Sequence, residues 1–176
     1  MLKLRKLPGG GSDQVVLPFT GLMDPMAVAV DSAGNLYVAD GDKGVLMLPA
    51  GSSSQKVLSF TGLQIPMGVA VDNTGSVYVA DQGTHSLFKL AAGSSTATVL
   101  PIAGLDAPRG MAVDKAGSVY ITDMGNNHVL KLAAGSSTST VLPFTWSRPM
   151  GAAVDDAGNV YVTDDGDNRV VKLPAQ

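Results

Sequence analysis

The stretch Pro108–Leu132, PRGMAVDKAGSVYITDMGNNHVLKL, decides the fold. It holds three short runs rich in Val, Ile, Leu and Tyr, separated by D-K-A-G and D-M-G-N-N, and Asp/Asn/Gly clusters between such runs are turn sequences. Three other segments share the pattern: PMAVAVDSAGNLYVADGDKGVLML from Pro25, PMGVAVDNTGSVYVADQGTHSLFKL from Pro66, and PMGAAVDDAGNVYVTDDGDNRVVKL from Pro149. Pro25, Pro66, Pro108 and Pro149 are 41, 42 and 41 residues apart, as are Asp31, Asp72, Asp114 and Asp155. Between copies lie Gly-Ser-Ser-rich turns and one more apolar run, V-L-S-F, V-L-P-I or V-L-P-F. Each repeat thus predicts four strands: a (x-V-A-V), b (V-Y-V-A/T), c (V-L-K-L) and d (V-L-P-F). Repeated four-stranded units of about 40 residues predict an all-β fold, a β-propeller of four-stranded antiparallel blades, as a single domain over 1–176. The 3.6-residue periodicity of a helical solenoid is missing.

Composition agrees. Gly is abundant and aromatic content low, as in a chain of many short strands and tight turns. A net charge of −3 gives no electrostatic reason to expect nucleic acid or an anionic membrane as partner. The chain has no cysteine, so disulfides, thiolate nucleophiles and cysteine-bound metals are excluded. The uncharged stretches 90–105 and 132–147 are too short and too rich in Gly, Ser, Thr and Pro to span a bilayer, so membrane insertion by this chain is not expected. The charged start Met1–Lys6 runs into Pro-Gly-Gly-Gly rather than an apolar run, unlike a secretory signal.

The pattern P-x-G-v-A-V-D-x-x-G-N-v-Y-V-t-D-x-G-N-N-r-V-x-K-L resembles the NHL repeat, with Pro108–Leu132 as its best copy. The links A-A-G-S-S-T-x-T-V-L-P at Ala91–Pro101 and Ala133–Phe144 are similar to those of the extracellular sensor domain of the mycobacterial receptor serine/threonine kinases of the protein kinase D type. That resemblance implies an extracellular or cell-surface location, a ligand or partner held by a propeller, and signalling to a kinase. The chain departs from that family in having four repeats rather than six, in lacking a kinase or membrane segment, and in a first copy whose turn Gly41–Gly44 is one residue short.

Propellers close by completing one blade with strands from both ends. Val15–Phe19 reads as a strand d and Val170–Leu173 as the last strand c, so residues 1–19 are expected to complete the ring. Leu2-Lys3-Leu4 resembles another strand c, which leaves one strand too many for four closed blades. Either Met1–Leu4 or Val170–Leu173 is then left over or exchanged in a homodimer, and the repeats form four closed blades or a larger ring from two chains.

The repeated Asp31, Asp72, Asp114 and Asp155, and Asp40, Asp81, Asp123 and Asp164, read as turn-capping residues, since every copy needs them alike. Asp164-Asp165-Gly166-Asp167-Asn168 lacks the distant bidentate Glu of a calcium loop, and His85 and His128 fall at positions that elsewhere hold any polar residue, so no metal or cofactor is expected. Catalytic signatures such as G-x-S-x-G or H-E-x-x-H are missing, and the chain is read as non-enzymatic. The informative positions are those that vary. Met26, Met67, Arg109 and Met150 follow the blade-opening prolines and should ring one mouth of the channel, either as adaptable apolar groups around a single Arg anchor for carboxylate or phosphate or as methionines that simply plug a narrow channel. Trp146 and Arg148 in the shortened fourth link are candidate interface anchors on the same face, or else Trp146 fills the gap that the shorter link leaves. The expected function is a binding or sensing scaffold for a protein, peptide or glycan. The alternatives are an engineered or excised propeller without an evolved ligand and, less favoured, a propeller lyase.

Overall fold

The computed structural model describes residues 5–6 and 15–175. It is all-β: four antiparallel blades in a propeller arrangement, with a two-stranded hairpin before them. The hairpin pairs β1 (Arg5–Lys6) with β2 (Val15–Val16). Blade 1 comprises β3 (Pro25–Val30), β4 (Leu36–Asp40), β5 (Gly44–Leu48) and β6 (Lys56–Val57). Blade 2 comprises β7 (Pro66–Val71), β8 (Val77–Asp81), β9 (Ser86–Leu90) and β10 (Thr98–Val99). Blade 3 comprises β11 (Pro108–Val113), β12 (Val119–Asp123), β13 (His128–Leu132) and β14 (Ser139–Val141), and blade 4 has β15 (Pro149–Val154), β16 (Val160–Asp164) and β17 (Arg169–Leu173). The only helical turn among the described residues is the 3-10 turn Asp165–Asp167.

Strands a, b and c form where the Val/Tyr/Leu runs predict them. Strand d forms in blades 1–3 but is shorter and earlier, pairing two or three residues and ending at Val57, Val99 or Val141. The next leucine still donates to strand c (Leu100 N–H to Leu87 O, 2.8 Å), but two residues on the chain doubles back, Ile102 N–H bonding Leu100 O at 2.8 Å. The central residue of that γ-turn, Pro101, has no N–H to continue the ladder. Leu100, Ile102 and Leu105 thereby turn inward and become a wedge between blades 2 and 3, as Leu58, Phe60 and Leu63 do between blades 1 and 2.

The inner strands pack in series, β3 on β7, β7 on β11 and β11 on β15, and a separate hydrophobic cluster fills each of the three junctions. One sequence variation tracks a difference in the ladder. Where strand b ends in Ala-Asp, the bulge after the opening proline takes up one residue and pairing resumes at Ala27↔Ala39 and Gly68↔Ala80. In blades 3 and 4 the bulge is wider, and a threonine hydroxyl takes over the missing rung: Thr122 Oγ1 accepts Gly110 N–H at 2.7 Å and Thr163 Oγ1 accepts Gly151 N–H at 2.8 Å. Thr122 also donates to Met150 O at 2.8 Å, tying blade 3 to blade 4.

The expected closure is not made. Val15–Val16 pairs with Arg5–Lys6 instead of with Val170–Leu173, and β17 pairs only with β16 among the described residues. β15 and β3 make no junction like the other three. The nearby hairpin partner closes a short loop, whereas closure would require the far ends of an arc to meet. The alternative strand Met1–Leu4 lies outside the described residues, and the observed partner strand begins just after it.

Candidate functional site

Each blade carries two aspartates with separate structural tasks. The first caps the a–b turn. Asp31 Oδ1 accepts Ala33 N–H (3.0 Å) and Asn35 N–H (2.8 Å), and its Oδ2 accepts from Asn35 Nδ2 (2.8 Å) and Tyr37 OH (2.9 Å). Burial raises the pKa of Asp31, but the bonds from Asn35, Tyr37 and Ala33 outweigh it, so the carboxyl lies below its ordinary value. Asp155, with the same set of partners, is lowered to about 2, led by the Asn159 side chain. The second aspartate is fully enclosed at the b–c turn and staples it to the incoming link. Asp40, for example, accepts Met23 and Asp24 N–H on one oxygen and Asp42 and Lys43 N–H on the other, at 3.0–3.2 Å. Burial moves Asp123 up, against the bonds from Asn126 and Asp106 N–H.

Tyr37 is pushed up to about 12, by burial first and then by its bond to Asp31, and burial raises Tyr78 and Tyr120 as well. An unfolded tyrosine loses its proton near pH 10 and folded Tyr37 keeps it to about 12, so the stability from Tyr37 is complete below pH 10 and falls as pH rises through 12. A 295 nm titration should show Tyr37, Tyr78 and Tyr120 ionising above the curve recorded in denaturant, with alkaline unfolding in that window. Superimposed curves would contradict this.

His85 is already engaged by its own link. His85, at φ 51°, accepts Ala107 N–H on Nδ1 at 3.1 Å. The same nitrogen lies 3.2 Å from Asp106 Oδ1, and because it already serves as an acceptor, that approach is a contact rather than an ion pair. In the following blade Asn127 fills this role, its Oδ1 accepting Arg148 N–H at 2.8 Å. His128 is an exposed residue at the start of β13.

The structure gathers four of the six candidate site residues. Met26, Met67, Arg109 and Met150 line one groove on the concave face, of about 360 Å³, floored by the glycine backbones of the inner strands. Among the described residues, Arg109 is the only charged one lining it. Its Nη1 lies 3.8 Å from Met150 Sδ, a weak acceptor, and its buried Nε has no partner among the described residues. A guanidinium N–H facing methionines rather than carboxylates keeps a hydrogen bond to donate to an oxygen in the groove, whether of water or of a ligand.

Trp146 and Arg148 are elsewhere. Trp146 is 5 % exposed in the cluster between blades 3 and 4, with Phe144 at 4.9 Å, where it takes the place that the longer link gives to Leu105. It is a packing residue, and its placement on a binding face is corrected accordingly. Arg148 lies on the outside of the link at φ 62°, its guanidinium 3.3 Å from Asp165. The sequence reading missed the contribution of Gly68, Gly110 and Gly151 to the groove floor. The signal was the small residue two places after each opening proline.

The NHL repeat model matches residues 63–90 and 105–132. No curated protein matches the chain in sequence. Among solved structures, the chain is similar to one in a nidogen/laminin complex (TM-score 0.83, 18 % identity, 92 % of this chain and 64 % of that one). It is also similar to a streptogramin B lyase (0.68, 17 %, 85 % and 54 %) and to virginiamycin B lyase from Staphylococcus aureus (0.65, 13 %, 86 % and 55 %). The chain thus spans between about half and two thirds of the length of these structures, and at such identities the likeness speaks for the fold alone. No helix among the described residues is long and apolar enough to cross a membrane. With two of its four repeats matched by the NHL repeat model, and three four-stranded blades followed by a three-stranded one, the chain is a β-propeller that contains two NHL repeats.

Proposed function

We propose that the chain is a non-catalytic binding module that holds a protein or peptide segment bearing a carboxylate in the groove of Met26, Met67, Arg109 and Met150. The observation behind this reading is the unpartnered Nε of Arg109 in a groove lined otherwise by apolar side chains and backbone. Methionines fit varied apolar side chains, and the guanidinium fixes the acidic group. A structural neighbour solved in a complex of two proteins favours a protein ligand over a glycan. A lyase reading has less support, because the described residues of the groove include no histidine or carboxylate to move a proton. By resemblance to the kinase sensors, the module belongs on the outer side of a membrane, reporting its ligand to a kinase.

A library of immobilised peptides with and without acidic residues tests this. Binders should carry a carboxylate, and Arg109→Met should weaken them about tenfold or more, as loss of a charge-assisted bond does. Binding unchanged by Arg109→Met, or equal for uncharged peptides, would refute the assignment.

A further inference from the structure

We infer that His85 is a proton-sensitive positioning residue for Arg109: the neutral ring holds Ala107 in a strained backbone conformation, and a protonated ring turns to Asp106 and releases it. The coupling of His85 to Arg109 is independent of any ligand, and only its effect on binding rests on the carboxylate reading of the groove.

Ala107 stands at φ 49° directly before Pro108, where an L residue is disfavoured twice, by its own Cβ and by the proline ring that pushes it towards extended backbone. Such a conformation persists only where its surroundings hold it. Here the Ala107 N–H donates to His85 Nδ1 at 3.1 Å. The next link repeats the arrangement: Arg148, at φ 62° before Pro149, donates its N–H to Asn127 Oδ1 at 2.8 Å. His85 and Asn127 occupy the same turn position and share its left-handed backbone, at φ 51° and 54°. Asp24 and Ile65, before the first two opening prolines, have no positive φ, and their N–H groups go to Asp40 and Asp81 instead. The side-chain acceptor from the preceding blade thus accompanies the strained residue.

Arg109 is exposed to any change at Ala107. Pro108 pairs with Asp123 and the next pair is Met111 with Ile121, so Arg109 and Gly110 lie in the bulge between them, where the path of the chain out of Ala107–Pro108 sets their course. The Nδ1 that accepts from Ala107 does so with its lone pair, so the neutral ring carries its hydrogen on Nε2. A proton added at Nδ1 takes that lone pair, and two N–H groups then face each other. Asp106 Oδ1, 3.2 Å from the same nitrogen, accepts the new N–H. The ring is half-exposed, so solvent supplies the proton. The other titratable groups around it are Asp81, engaged by Gln64 N–H, Ile65 N–H and Thr84, then Asp123, which accepts Asp106 N–H at 2.7 Å and which burial raises, and His128 at the start of β13. Imidazole is the side chain whose charge changes between about pH 5 and 8, whereas the amide of Asn127 keeps its acceptor throughout. The hold on Ala107 therefore depends on pH and the hold on Arg148 does not.

NMR of the 176-residue chain between about pH 8 and 5.5 tests this. The Ala107 amide and the Arg109 side-chain signals should shift with the midpoint of the His85 ring, while the Arg148 amide stays in place. In His85→Asn, which copies the acceptor of the next blade at a backbone position asparagine tolerates, both should stay near their high-pH positions. His128→Gln, which removes the chain's other histidine, should titrate like the parent. The peptide acetyl-Leu-Glu-Leu-amide, whose own carboxyl titrates near about pH 4, probes the groove. Its dissociation constant should rise at least about fivefold between about pH 7.5 and 5.5 for the parent and less than about twofold for His85→Asn. Ala107 and Arg109 signals that ignore the His85 titration would overturn the proposal, as would signals that titrate equally in His85→Asn, an outcome that assigns the change to Asp123. A peptide bound equally at both pH values by the parent would overturn the effect on the groove. A peptide that neither protein binds would refute the carboxylate reading alone, since the NMR titration decides the role of His85 without it.

Discussion

Asp81→Ala is expected to lower the unfolding free energy by about 3–4 kcal/mol at neutral pH, a large fraction of the stability of a domain this size. The side chain is fully buried. Its Oδ2 accepts Gln64 N–H (2.8 Å) and Ile65 N–H (3.0 Å) from the link that leads into β7, and its Oδ1 accepts Thr84 N–H (2.8 Å) and Thr84 Oγ1–H (2.9 Å) from the b–c turn. Alanine leaves three backbone donors without acceptors in a half-buried place that a methyl group cannot serve. Asn retains one oxygen but turns an amide N–H₂ towards two of the donors, so Asp81→Asn should fall between parent and alanine. Asp42→Ala, which removes an exposed pair with Lys43 at 3.2 Å, should change stability by less than about 0.5 kcal/mol. Urea unfolding of the three variants measures this. An alanine variant within about 1 kcal/mol of the parent would show that the link is held by packing rather than by the carboxylate.

The repeat makes that role legible in the sequence alone, because a residue needed in every blade is needed by the blade. The same reasoning located strands a, b and c, whose boundaries are set by local turn chemistry. Strand d misled because its apolar residues serve a different purpose. Leu100 and Ile102 are apolar as wedges between sheets, and a pattern of hydrophobicity does not separate a strand from a wedge. Trp146 was ambiguous for a related reason. A shortened link leaves a gap, and a large side chain either fills it or projects from it; only packing against Phe144 and the blade 3–4 cluster decides. Closure was least legible, since the tilt between blades arises from the fit of wedges and glycine contacts and leaves no mark on strand count. The change from Ala80 to Thr122 and Thr163 did carry a signal, the hydroxyl that replaces a backbone rung, in a position read only as belonging to a strand.

Gly110→Ala tests the contact that sets this tilt. The φ of Gly110 is not positive, so the glycine is required by space and not by backbone conformation. A Cβ there would overlap Met150 O and lie 2.7 Å from Gly151 Cα and 2.9 Å from Ala152 N, all main-chain atoms of the next inner strand. No rotamer change relieves the clash, and separating the strands would break the bond from Thr122 to Met150 O. The expected cost is about 3 kcal/mol, the upper end for overpacking, with the groove distorted beside Arg109. Gly151→Ala is the comparison. Its Cβ meets only Thr163 Oγ1, at 3.2 Å, so in the single chain the change should cost under about 1 kcal/mol. Equal losses at the two positions would mean that blade spacing is not governed by the approach of neighbouring inner strands. A loss confined to Gly110 would identify that approach as the element fixing the curvature, and with it the distance between Arg109 and the methionines around it.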